Sequence, residues 1–379
     1  MPGIYIHIPF CKQACSYCDF YFLTRGELKD PFVEALIQEI KSYNDHPFSG
    51  QEISTIYFGG GTPSQLKISQ LKKIFDALGE TFNLNTVEIT LEMNPDDVCA
   101  DYLNGLLDLG VNRASMGVQS FDEKLLQFMH RAHSSDEALK ALELLHKTGF
   151  PAFTADLIYG NPGQKAKSLR EDVKKLLEFS PPHVSAYSLT IEPGTRLGKQ
   201  AKLGRLKEAD DETVSLHFDI VTDMLAEAGI EQYEVSNFAK PGKEAVHNSS
   251  YWQHENYLGL GPSAHSLFWR SDTMAERWSN RRDLKLYLDQ KCDQVKEEKE
   301  ILDLNALAEE RLMLGLRTKK GISVQNLREK YGYKLSEAQK EWMLEQDKKG
   351  YIVTGEHSIS LTREGLKIAD YLVLELITK

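Results

Sequence analysis

A basic excess, membrane-length apolar runs and a paired set of cysteines are all missing from this sequence of 379 residues. Each absence removes a class of function. Lysine and arginine total 45 against 56 aspartates and glutamates, for a net charge of −11. That sign argues against general affinity for nucleic acid or anionic lipid, although a local basic patch stays open. No apolar run reaches about 18 residues, so no membrane span is expected. With a mean hydropathy of −0.41, the sequence reads as a soluble, cytoplasmic protein. The opening Met1-Pro2-Gly3-Ile4 has no basic segment ahead of an apolar one, and no signal peptide is expected. Five cysteines are too few, and odd in number, for the disulfide framework of a secreted protein. Internal repeats and low-complexity segments are absent too.

What the sequence does have is a concentration of sulfur. Cys11-Lys12-Gln13-Ala14-Cys15-Ser16-Tyr17-Cys18 follows a short strand-like run from Ile4 to Pro9. Three thiolates in one short loop can ligate three irons of a [4Fe–4S] cluster, because soft sulfur ligands suit such clusters. The fourth iron then stays open to another partner. A structural zinc site wants four Cys or His ligands, usually as two spaced pairs. His7 sits in an alternating strand and reads as a packed or surface histidine. Cys99 and Cys292 read as buried or inert thiols.

From residue 3 to about 235, strand-like and helical patterns alternate. Ile53 to Phe58, Thr86 to Leu91, Asn112 to Gly117, Ala152 to Ile158 and His183 to Leu189 read as strands. Between them, Phe32, Val33, Leu36, Ile37 and Ile40 form one apolar helical face, and Val214, Phe218, Val221 and Leu225 form another. Such alternation implies an α/β fold with a parallel sheet, open or closed into a partial or full barrel. Residues 236–299 look less regular, carrying His247-Asn248-Ser249-Ser250-Tyr251-Trp252 and a charged run from Lys296 to Glu300. Residues 300–379 read as a small helical domain with a wing-like hairpin turning near Gly355. The expected division is 1–235, 236–299 and 300–379.

In parallel α/β folds, functional groups gather where strands end. The cysteine loop follows the first strand and Gly59-Gly60-Gly61-Thr62-Pro63 the second. Glu92 ends the third, Gln119 the fourth, and Asp156 lies within the fifth. Three glycines leave backbone amides and carbonyls accessible, and beside the cysteines they suit contact with an amino acid moiety. A P-loop or dinucleotide fingerprint is weakly supported, since neither spacing is present. A carboxylate on that rim can accept from hydroxyl or amino groups, and Arg131 can pair a carboxylate bidentately.

These motifs resemble the radical S-adenosylmethionine (SAM) superfamily, and within it the oxygen-independent coproporphyrinogen oxidase-like branch. Ile8-Pro9-Phe10-Cys11, Gly59 to Pro63, Met116 to Phe121 and Asp156 to Gly160 carry the likeness across nearly the whole chain. The resemblance implies a partial (β/α)6 TIM-like barrel with a small, mostly helical C-terminal domain. It implies a [4Fe–4S] cluster on Cys11, Cys15 and Cys18, with SAM chelating the fourth iron. Tyr5, Gly60 and Glu92 match positions that contact the cluster-bound SAM. Gly61, Thr62, Gln119, Arg131 and Asp156 match positions that contact a second SAM in the oxidase.

Two departures separate this sequence from the oxidase. The oxidase has a further cysteine two residues after the third, where Phe20 stands here, and an extra N-terminal segment. His247-Asn248-x-x-Tyr251-Trp252 instead resembles the haem-chaperone members of the branch. That implies haem as a further ligand, with His247, Tyr251 and Trp252 as candidate contacts and an acceptor haemoprotein as partner. A haem donor, a reductant protein and a homodimer are open additions, and nucleic acid is not an expected partner. His265 is a second candidate histidine, and Trp278 reads as core. The alternatives are a radical SAM oxidoreductase acting on a tetrapyrrole and a winged-helix nucleic-acid binder.

Overall fold

The computed structural model describes residues 2–289, 295–355 and 357–379; Cys292 lies outside them. Six strands lie side by side in chain order: β1 (Gly3–Ile8), β2 (Glu52–Gly60), β3 (Asn83–Met93), β4 (Arg113–Gln119), β5 (Ala152–Tyr159) and β6 (His183–Ser188). Each is parallel to the next. The connections are helical. Lys29–Lys41 buries Phe32, Val33, Leu36 and Ile40, and Ile68–Thr81 buries Leu71, Ile74 and Leu78.

Side chains alternate along a strand, and here that alternation separates core from cavity. Ile4, Ile6, Ile8, Ile56, Phe58, Leu91, Ala114, Met116, Ala155 and Leu157 are buried and share one core with the helices. The residues between them are polar. Tyr57, Thr90, Glu92, Arg113, Ser115, Thr154, Asp156, Ser185 and Tyr187 line one cavity of about 410 Å³. Cys11, beyond β1, and Tyr187, on β6, reach the same cavity, so the six strands curl into the partial barrel.

The sheet continues past both ends of the barrel. β8 (Asn237–Ala239) adds antiparallel to β6, and β7 (Glu231–Gln232) adds antiparallel to β8. On the other side, β9 (Tyr257–Leu260) lies parallel to β1. β10 (His265–Ser271), β11 (Met274–Asn280) and β12 (Lys296–Asp303) follow antiparallel, giving twelve strands in one mixed sheet. The stretch 236–282 is therefore more regular than its sequence suggests. The Lys296 to Glu300 run is part of the edge strand, where charged side chains discourage pairing with another chain.

The C-terminal part is mostly helical. Leu304–Leu316 leads into β13 (Ile322–Ser323), two further helices, and the hairpin of β14 (Ile352–Thr354) and β15 (Ser358–Leu361). Gly355 closes the hairpin by donating its N–H to the Ser358 carbonyl at 2.8 Å. Leu307, Leu312 and Leu316 of the first helix are fully buried. Leu312→Ala is expected to cost about 2–5 kcal/mol, the range for truncating a buried leucine. Urea denaturation followed by circular dichroism measures it, and a loss below about 1 kcal/mol would show that this helix is not docked as described. Among the described residues, no helix is long and apolar enough to cross a membrane.

Candidate functional site

The cysteine loop is closed at its base and clamped along its length. Cys11 donates its N–H to the Leu23 carbonyl at 3.0 Å, and the Leu23 N–H returns to Pro9 at 2.7 Å. Ser16, almost fully buried, is held from two sides. Its N–H and hydroxyl each reach a carbonyl, of Met129 and Phe128, at 2.9 Å, and its own carbonyl accepts from Leu197 N–H at 2.9 Å. Gln13 donates to the His130 carbonyl at 2.9 Å, and Lys12 pairs with Asp96 at 2.6 Å. The loop conformation thus rests on neighbours other than the thiols.

Cys11, Cys15 and Cys18 all line the 410 Å³ cavity. Burial pushes the Cys11 thiol up to about 11, partly offset by a hydrogen bond from Thr62. Burial likewise pushes Cys18 up to about 12. Iron must displace those protons to bind, as metal–thiolate sites generally require. Among the described residues, no three His, Cys, Asp or Glu side chains converge on the position of one ion. A cluster does not require that convergence, since each cysteine takes its own iron.

The glycine ridge after β2 fits close against the loop. A Cβ on Gly61 would lie 2.8 Å from the Ile8 and Phe10 carbonyl oxygens. Gly60 has φ +104, and a Cβ there would fall 2.5 Å from the His7 ring. Thr62 donates its hydroxyl to Cys11 Sγ at 3.4 Å. Gln119 ends β4 at φ +65 and is buried with its Oε1 unpartnered. An orphaned buried acceptor beside a cradle closed to Cβ atoms fits a ligand that donates hydrogen bonds, as SAM does through its amino group.

Arg131 is the hub between loop and barrel. Its Nη1 reaches Cys15 Sγ at 3.5 Å and Tyr17 Oη at 3.3 Å. Its Nη2 donates to Asn94 Oδ1 at 2.6 Å and the Gly117 carbonyl at 2.9 Å. Glu92 accepts from Tyr57 Oη at 2.8 Å and from the Gly60 N–H at 3.2 Å. Burial, with Asp156 adding its charge, raises Glu92 from 4.5 to about 7. Burial also raises Asp156 to about 6, eased by Ser185, Arg131 and Ser115.

The Glu92 shift has a stability consequence. Between pH 4.5 and about 7, the folded protein holds the Glu92 proton while the unfolded chain has released it. Stability from this group is therefore present at low pH and lost as pH rises through 7. We expect Glu92→Gln to flatten that decline in the metal-free protein by on the order of 2 kcal/mol, allowing for partial exposure. Urea titrations at pH 5 and 8 on both proteins measure it; identical slopes would refute the assignment.

Other expected residues fall elsewhere. Tyr5 lies behind Tyr57, their rings stacked at 6.0 Å, and lines a second cavity of about 560 Å³ instead. His247, on the helix Val246–Trp252, is buried with both ring nitrogens occupied. Nδ1 meets Thr55 Oγ1 and Nε2 meets Tyr251 Oη, each at 2.8 Å. Burial lowers its pKa to about 3. In this arrangement neither nitrogen is free for iron. Tyr251 reaches the second cavity, and Trp252 is half-buried with its indole N–H unpartnered. Asn248 lines the first cavity. His265 is exposed, Trp278 is core, and Cys99 is exposed rather than buried.

Sequence reasoning missed Tyr17, Tyr57, Asn94, Arg113, Ser115, His183, Ser185 and Tyr187, all lining the first cavity. For the six on strands the signal was the polar half of the alternation; Tyr17 lies in the cysteine loop and Asn94 just past β3.

Comparison with known proteins places this architecture. The radical SAM superfamily profile matches residues 5–176, and the HemN C-terminal domain profile matches residues 302–368. A Bacillus subtilis protein named "Heme chaperone HemW" is 36% identical over 96% of this chain and 96% of its own. The Lactococcus lactis protein of that name is 34% identical over 97% of this chain and 94% of its own. Among solved structures, Escherichia coli coproporphyrinogen III oxidase (HemN) superposes with a TM-score of 0.85. It is 23% identical, covering 100% of this chain and 90% of that one, and the likeness is one of fold. The chain belongs to the radical SAM superfamily and, within it, to the family of the relatives named heme chaperone HemW.

Proposed function

We propose that this protein is a haem chaperone: it binds haem and delivers it to an acceptor haemoprotein while carrying a SAM-ligated [4Fe–4S] cluster. The observation that carries the reading is near-full-length similarity to two bacterial relatives of that name. Superfamily membership implies the cluster and SAM. Phe20 supports the chaperone reading: it stands, 64% exposed, at the cavity mouth, where the resembled oxidase carries cysteine.

Cys11, Cys15 and Cys18 hold the cluster. Gly60, Gly61, Thr62, Glu92, Gln119, Arg131 and Asp156 bind SAM, and Tyr5 supports them through Tyr57. When bound, cluster and SAM supply one-electron chemistry at the barrel mouth. Arg131 fixes the Cys15 end of the loop, and Glu92 orients the Gly60 amide and offers a carboxylate to a cationic ligand. Residues 1–235 form the cluster-bearing core, 236–299 the extension with the His247 to Trp252 motif, and 300–379 the helical module. The setting is cytoplasmic, and a reductant protein serves the cluster.

The test is a haem titration of the reconstituted protein, with haem counted as pyridine haemochrome after desalting. Roughly one haem per chain is expected, with no decarboxylation of coproporphyrinogen III when SAM and reductant are supplied. Haem-free protein after desalting, or turnover of the porphyrinogen, would overturn the chaperone reading.

A further inference from the structure

Of the cavities along the sheet, the first is the one assigned to cluster and SAM. At about 410 Å³ the first is of the size a single small-molecule ligand occupies. The second, about 560 Å³, lies between β1, the strands β9 to β12 and the helix Leu304–Leu316. Its walls have the chemistry a porphyrin needs. Tyr5, Tyr251, Tyr257, Leu267, Met313 and Leu314 supply ring and aliphatic surface. Tyr251 and Tyr257 meet edge to face at 4.7 Å, which fixes both rings.

We propose that haem binds in this second cavity, with His265 as the axial ligand to iron and Arg282 pairing a propionate; the proposal rests on the chaperone reading. His265 stands at the start of β10, exposed at the cavity wall, and its ring has no hydrogen-bond partner among the described residues. That separates it from the other nearby histidines: His254, which also lines this cavity, is almost fully buried, with Nδ1 3.3 Å from Tyr331 Oη and Nε2 facing the Glu310 carboxylate at 3.2 Å. His7 is held by the Tyr21 carbonyl at 2.8 Å and Tyr5 Oη at 3.2 Å, and His247 is occupied at both nitrogens. A neutral imidazole with a free nitrogen is the ligand haem iron takes.

The charges on the wall sort the same way. Glu310 is paired with Arg277 at 2.5 Å, Glu297 with Arg281 at 3.3 Å, and Glu298 accepts from Ser279 at 3.3 Å. Arg282 has no carboxylate partner among the described residues. One of its Nη atoms donates to the Asp19 carbonyl at 2.6 Å, within the cysteine loop. The remaining N–H groups are the cavity's cation for an anionic ligand. The His247 to Trp252 motif then acts by position: His247 Nε2 holds Tyr251 Oη, and Tyr251 forms part of the wall. Phe20 lines both cavities, so the cysteine loop is their shared partition.

The experiment uses full-length protein with its cluster reconstituted, titrated with haemin and scored by the Soret position and by haem retained after desalting. His265→Gly is expected to weaken haem binding at least tenfold and shift the Soret band toward that of free haemin, with cluster iron unchanged. Added imidazole is expected to restore the wild-type Soret position, which a merely structural role for His265 would not produce. Arg282→Glu is expected to weaken binding several-fold without moving the Soret band. If His265→Gly binds within twofold of wild type with the same Soret position, the site is wrong and the chaperone reading stands. If wild-type protein retains no haem, the chaperone reading falls and the site falls with it.

Discussion

Replacing Cys15 by alanine leaves the reconstituted protein without its cluster: iron and sulfide fall from about four of each per chain to below one. Three ligands already leave one iron to another partner, so losing a third of the protein's sulfur ligands removes the closure that holds the remaining irons. The fold has no comparable dependence on that thiol. The loop is closed at Cys11 and Leu23 by backbone bonds, and Ser16 is held from two sides. Arg131 loses one contact, at 3.5 Å, and keeps those to Tyr17, Asn94 and Gly117. Metal-free wild type and Cys15→Ala are therefore expected to melt within a few degrees of each other. Full iron content in the variant would remove Cys15 from the site.

The parallel sheet was legible because its signal is local, while its closure into a partial barrel came from the family resemblance. Apolar residues at every second position, separated by helical faces, mark six parallel strands, and β1 to β6 appear in that order. The motif residues sat at strand ends, where such folds gather their chemistry. What stayed hidden depends on contacts distant in sequence. Thr55 and His247 are 192 residues apart, yet they share a hydrogen bond that takes one of the two ring nitrogens iron could use. Nothing in His-Asn-x-x-Tyr-Trp announces that partner.

Three further features were hidden for other reasons. Lys296 to Glu300 reads as a solvated charged run because an edge strand exposed on most sides has little apolar periodicity to show. Arg131 follows a short helix after β4, and its spacing does not say which of several strand ends it will meet. The structure answers with four partners from three segments: Cys15 and Tyr17 of the loop, Asn94 after β3, and Gly117 of β4. The second cavity had no sequence signature, since its walls come from β1, β9 to β12 and the C-terminal helix.

Adding one methyl group at Gly61 is expected to disturb the cluster site nearly as much as removing a ligand. A Cβ there would sit 2.8 Å from the carbonyls of Ile8 and Phe10 and 2.9 Å from the Phe10 amide nitrogen. All three atoms are backbone, so no side chain can rotate away. Gly61 also donates its own N–H to the Ile8 carbonyl at 2.9 Å, which fixes it at the start of the cysteine loop. Relief requires β1 and the end of β2 to part, and Cys11 moves with β1. Overpacking of this kind costs about 1–3 kcal/mol, and here the displacement falls on the ligand loop. Gly61→Ala is expected to lower the melting temperature and at least halve the iron bound on reconstitution. Gly50→Ala is the control, since a Cβ at Gly50 meets nothing within 4 Å, and it should change neither. A Gly61→Ala protein with wild-type stability and full iron would mean that the ridge is not packed against the loop, and that its glycines serve only as an open surface for ligand.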